Sequence, residues 1–158
     1  MKSYRLSGAL IAVAAAGLLV AGAAQAADSQ VVTVNATILS TCKFNTGQTP
    51  VVTVANTGAN IDPSLAGPAT GNANVLYKCT NGTTPVFSGP ATATVTCTTA
   101  VTCGVTTMPP AMTYTSGGAG SGFSTNKTLV VAGSLTQAQY QDMQAGTYSG
   151  TVTVSVTP

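Results

Sequence analysis

An all-β fold is what this sequence predicts, on three observations. Apolar and polar residues alternate singly in several short runs, the period of a strand whose successive side chains point to opposite faces. Gly, Pro and Asn interrupt the chain often, so no run stays periodic long enough for a sizeable helix. There is no Trp and only 5% of residues are aromatic, so a core must be built mainly from Val, Ala, Leu and Ile. Val and Thr, whose branched side chains suit a pleated surface, dominate the alternating runs.

The chain opens with the pattern of a secretory signal. Lys2 and Arg5 precede an apolar stretch over residues 8–24, and Ala24-Gln25-Ala26 is the small-x-small pattern that a signal peptidase reads. Cleavage is expected between Ala26 and Ala27. No second apolar run is long enough to span a bilayer, so no membrane span is expected after cleavage. Lys2 and Arg5 account for the net charge of +2; residues 27–158 set Lys43, Lys78 and Lys127 against Asp28, Asp62 and Asp142. With no basic excess left, nucleic-acid binding has no support. A near-neutral, Thr-rich surface lacks the charge that keeps copies apart, and so suits self-association.

The expected elements follow in chain order. In residues 31–39, Val32, Val34, Ala36 and Ile38 alternate with Thr33, Asn35 and Thr37, an amphipathic strand at a free end. Such a strand can complete a neighbour's sheet as easily as its own. A short strand is expected over residues 51–55, then a turn-rich loop over 56–72. Residues 74–80 read as a strand with Val75, Tyr77 and Cys79 on one face, closed by the Asn81-Gly82 turn signal. Strands over 85–88 and 91–97 flank the Gly89-Pro90 break, and Val101, Cys103 and Val105 share a face in the next one. Pro109-Pro110 ends that run, and residues 116–122, SGGAGSG, read as a flexible loop. A strand over 127–132 leads to the one helix-friendly stretch, 135–144, expected to form a single short turn. The last strand, 147–157, puts Tyr148, Val152, Val154 and Val156 on one face. Seven or eight such strands suit an immunoglobulin-like Greek-key sandwich; a small closed barrel is the alternative.

Four cysteines in a secreted chain read as two disulfides. Three pairings are open. Cys97 and Cys103 lie in two strand-like runs joined by a tight turn, so a local bridge is expected there, which leaves Cys42 with Cys79. Chain entropy assigns about 4 kcal/mol to the longer loop and about 2 kcal/mol to the shorter. Zinc is disfavoured, since the chain has no His.

The same absence bears on catalysis. Without His or Glu, no Ser-His-Asp or Cys-His arrangement can be built, and a carboxylate pair would have to come from Asp28, Asp62 and Asp142. Each of these reads as a solvated surface residue. No phosphate-binding glycine motif is present. No enzyme activity and no cofactor are expected.

Three segments, in this order and spacing, resemble the spore coat protein U family, which includes subunits of archaic chaperone–usher pili. They are VTVNATILSTC after the signal, NVLYKCTNGTTP around Cys79, and the closing AGTYSGTVTVSVTP. The intervening VVAGSL is similar to the family's short strand before a small polar turn. The resemblance implies an immunoglobulin-like domain (residues 41–158) that lacks its last strand. It implies a periplasmic chaperone that fills the gap, and an outer-membrane usher where the N-terminal strand of the next subunit (residues 27–40) replaces it. On this chain the donor residues would be Val32, Val34, Ala36 and Ile38. Val152, Val154 and Val156 would line the acceptor groove, and Cys42–Cys79 would match the family's disulfide. Three features depart from the family's pattern: Cys97 and Cys103 are additional, the glycine-rich loop stands where a longer, more charged segment is expected, and the chain is somewhat short.

The function expected on these grounds is a secreted structural subunit of a surface pilus or coat, in adhesion or biofilm, assembling with copies of itself or sister subunits. The alternative is a monomeric secreted sandwich that binds carbohydrate or another surface. Phe44, Tyr77, Phe87, Tyr114, Phe123, Tyr140 and Tyr148 are the only aromatics it could use.

Overall fold

The computed structural model describes residues 29–99 and 106–158. The expected signal with its Ala26–Ala27 cleavage point, Asp28, and the strand through Val101, Cys103 and Val105 lie outside them. The chain divides into two units, Met1–Ala36 and Thr37–Pro158.

Of the first unit, residues 29–36 are described. They are exposed and belong to no strand. The expected opening strand, residues 31–39, is therefore not formed as a paired element. A strand exists only where a neighbour takes up its N–H and C=O groups, and no described residue from 29 to 41 has a ladder partner.

The second unit is all-β, with antiparallel pairing throughout its named strands. Its main sheet has the order β1-β2-β7-β6, formed by Cys42–Phe44, Ala69–Cys79, Lys127–Leu135 and Ala111–Ser116. β2 and β7 pair in unbroken register from Ala69↔Leu135 to Tyr77↔Lys127. Alternation then decides the faces. Ala69, Ala73, Tyr77 and Cys79 of β2 turn inward with Leu129, Val131 and Leu135 of β7 and Met112 of β6. Burying each large apolar side chain stabilises the fold by roughly 1.5–3 kcal/mol.

β2 starts earlier than expected, at Ala69 rather than Asn74. Turn-forming Gly71, Asn72 and Asn74 are carried into the ladder because β7 offers a continuous partner. Gly71 stands opposite Gly133 in that register. A Cβ on Gly71 would lie 1.9 Å from the Thr53 carbonyl, and one on Gly133 would press on Val52 and Val54. The glycine pair makes room for residues 52–54 to cross against the sheet. That segment is not the regular strand expected over 51–55; its one ladder contact is the bridge Ala55↔Thr70.

β6 is an element the sequence reading did not anticipate. Its inward residues, Met112 and Tyr114, alternate with Thr113 and Thr115, but Pro109-Pro110 and the glycine-rich stretch flank it closely and hide the pattern.

Two smaller sheets pack on the inner face. In one, β3 (Val86–Ser88) pairs with β9 (Ser155–Thr157); in the other, β4 (Val95–Cys97) lies between β5 (Thr107–Met108) and β8 (Tyr148–Ser149). The expected last strand is thus split into β8 and β9. Ser88 faces Ser155 and Thr96 faces Ser149, so eight steps on one side answer six on the other. The surplus falls around Pro90, which has no N–H to donate. Residues 91–93 bond the start of β6 instead, through Ala93 N to Pro110 O (2.9 Å) and Met112 N to Ala91 O (2.8 Å).

Between the layers lie two apolar clusters. One centres on Tyr77, Cys79, Met112, Leu129 and Val131; the other on Ala69, Met108, Leu135 and Tyr140. Tyr140 closes the expected short helical turn, Gln137–Tyr140. Its hydroxyl donates to Gly67 O at 2.6 Å and accepts from Asn56 Nδ2 at 3.1 Å. The loop before β2 is tied down from within the core by these two bonds.

Candidate functional site

Cys42 and Cys79 are directly opposite in the β1–β2 register and form a disulfide that closes a separation of 37 residues. Cys79 is fully buried. Cys97 is also disulfide-bonded; Cys103, its expected partner, lies outside the described residues.

The segment leading into Cys42 carries the expected donor residues. Val32, Val34 and Ile38 are 76%, 85% and 84% exposed, and Ala36 is exposed as well. Val31 and Leu39 are equally open. So dense a set of exposed apolar side chains is unusual. The last residues before β1 are held by Thr80, whose Oγ1 donates to Leu39 O at 3.1 Å and accepts from Thr41 N at 3.1 Å.

The expected groove residues lie on the C-terminal run, residues 148–157. β8 and β9 each stand at the end of their sheet's strand order, so one edge of each has no partner among the described residues. Val152 and Val154 pack on the first core cluster yet stay only partly buried, as do Val52 and Phe87 around the same cluster. Val156 faces Phe87 across the β3–β9 pair. Val152, Val154 and Val156 share one face at strand spacing, as the alternation predicts. Sequence reasoning missed the contribution of Val52 and Val54, whose only signal was their own two-residue spacing.

Two further surface features have a shape of their own. An open depression of about 560 Å³ lies along Thr53, Ala55, Asn56, Thr57, Gly67 and Thr70, and none of these residues titrates. A smaller one, about 360 Å³, lies at the β1–β2 pair beside Phe123.

Of the three aspartates, Asp62 and Asp142 are among the described residues. Ser64's hydroxyl and backbone N–H both donate to Asp62 Oδ1, at 2.6 and 2.9 Å, and hold its carboxyl below the ordinary range. Asp142 lies exposed just after the helical turn. Burial pushes the Tyr114 phenol up, and its hydroxyl donates to Pro90 O at 2.9 Å. Among the described residues, no group of three or more His, Cys, Asp or Glu side chains could hold a metal ion.

Against known proteins, the chain matches no family model, no curated protein and no solved structure.

Proposed function

We propose that this protein is a structural subunit of a surface filament or coat, not a catalyst. Residues 31–38 of one copy insert beside the C-terminal run of the next and complete an immunoglobulin-like sandwich that lacks a strand. The observation that carries this reading is a strand-patterned, apolar segment with no ladder partner, in a chain whose last strands each keep one edge without a hydrogen-bonded strand among the described residues. A strand added at such an edge gains main-chain hydrogen bonds and buries alternate side chains, the β-augmentation mode of recognition. Val32, Val34 and Ile38 would each contribute roughly 1.5–3 kcal/mol on burial, with Ala36 adding less. That gain has to exceed the loss of rigid-body freedom on association.

The resemblance to the spore coat protein U family supplies the rest of the reading: export through the periplasm, a chaperone that holds the open edge, and an usher that exchanges it for the next donor. Val152, Val154 and Val156 would line the acceptor. Replacing both Val34 and Ile38 by Arg tests it, since two charges cannot enter an apolar groove unpaired. Electron microscopy of producing cells should show filaments lost while the variant is still exported; filaments unchanged in number and length would overturn the proposal.

A further inference from the structure

The β1–β2 register sets Lys43 directly opposite Lys78 on the outer face of the main sheet. Cross-strand partners have Cβ atoms about 5 Å apart, and like charges so placed disfavour the pair unless something anionic lies between them. The two described aspartates are elsewhere: Asp62 is engaged by Ser64, and Asp142 accepts from Gln141 Nε2 at 3.5 Å. In a chain this poor in charge, two of the three lysines outside the expected signal are thus concentrated at one spot.

That spot is concave. Lys43, Phe44, Asn45, Thr46, Lys78 and Phe123 line the depression of about 360 Å³. Phe123 is 45% exposed, an apolar ring that lines the same depression as the two lysines. The ring is carried on a well-anchored loop. Gly120 exchanges backbone hydrogen bonds with Gly82 (2.9 Å) and Thr83 (2.8 Å), Gly122 N donates to Cys79 O (3.1 Å), and Tyr77 donates to Gly118 O (2.6 Å). Asn45 Nδ2, on the rim, donates to Asn126 Oδ1 at 2.9 Å.

We propose that this depression binds an acidic saccharide, with a carboxylate between Lys43 and Lys78 and the sugar's C–H face on Phe123. Paired cations recognise the anion, the aromatic face takes the ring, and the volume suits a small number of sugar units. A bare inorganic anion would leave Phe123 without a role, and a neutral glycan would leave the lysines without one. The site lies on each single copy and needs no polymerisation, so it stands or falls apart from the assembly reading.

The test is calorimetric titration of the purified full-length secreted chain with oligogalacturonate, with neutral dextran oligomers of equal length, and with inorganic sulfate. Oligogalacturonate should bind, weaken as salt rises, and lose about tenfold in affinity in Lys43→Gln and again in Lys78→Gln. Phe123→Ala should weaken it as well, whereas Lys127→Gln, whose lysine lies opposite Tyr77 and off this face, should not. Equal binding by all four variants, sulfate binding as tight as the saccharide, or no saccharide binding would each overturn the proposal. Because either lysine substitution also relieves the like-charge pair, a melting temperature no lower than the parent's separates lost binding from lost fold.

Discussion

Single residues settle several local questions through space rather than charge. Gly120 is buried, and a Cβ there would lie 2.5 Å from the Cys79 Cβ and the Thr80 carbonyl. The glycine-rich stretch 116–122, expected to be flexible, is instead partly β6 and partly a loop bonded to residues 79–83. Its glycines serve close approach as well as freedom, and composition alone cannot distinguish those uses. Asp62 shows a residue-scale effect with a sign. Ser64's side-chain and backbone donors hold its carboxyl below the ordinary carboxylate range. A carboxyl depressed on folding favours the native state above its unfolded pKa, and that contribution is lost as pH falls through the folded value. Ser64→Ala should therefore leave stability near neutral pH lower and flatten the acid limb below about pH 4. Urea midpoints measured from neutral to strongly acid pH check this; parallel profiles for the two chains would contradict it. Since Asp62 stays in reach of solvent, which screens its charge, the effect is small.

At the scale of elements, β1 is three residues long and has one large asset, the cross-strand bridge to Cys79. Cross-linking a loop of this length removes about 4 kcal/mol of unfolded-state entropy in the chain-entropy account. Replacing Cys42 and Cys79 together by Ala should lower the stability of the second unit by up to about that amount, read as a shift in denaturant midpoint. A midpoint unchanged from the parent would show that β1 and its bridge are dispensable to the fold. The elements also mark how far sequence reasoning reached. The core of β2 was legible from alternation in Val75 to Cys79, and those of β3, β4 and β7 fall within the short strand-like runs expected over 85–88, 91–97 and 127–132. The extra length of β2 was not, because Gly71 and Asn72 are turn formers until Gly133 and Ala132 of β7 stand opposite them. β6 was hidden for a related reason: its two inward residues, Met112 and Tyr114, lie between strong breakers.

For the molecule as a whole, assembly turns on strand edges. The second unit has a closed β2–β7 centre, partly covered valines at its C-terminal run, and strands that end their sheets. A separate peptide of residues 29–40 should occupy that edge if the proposed assembly holds. Added at about a hundredfold its Kd to the Val34→Arg, Ile38→Arg chain, it should stabilise that chain by about 2.7 kcal/mol. A thermal melt reads this as a rise in Tm, and a peptide of the same composition with its apolar residues shifted by one position should give none. No shift with either peptide would leave the free edge without its proposed occupant. Alternation along Val32, Val34, Ala36 and Ile38, and along Val152, Val154 and Val156, is written in the amino acids, because a two-residue period needs only the chain itself. Strand partners are a different matter. Period two assigns side chains to faces but is silent on which backbone lies beside them. The pairing of Lys43 with Lys78, the meeting of Gly71 with Gly133, and the unpaired state of residues 31–38 therefore emerge only when long-range hydrogen bonds choose among edges that look alike in sequence.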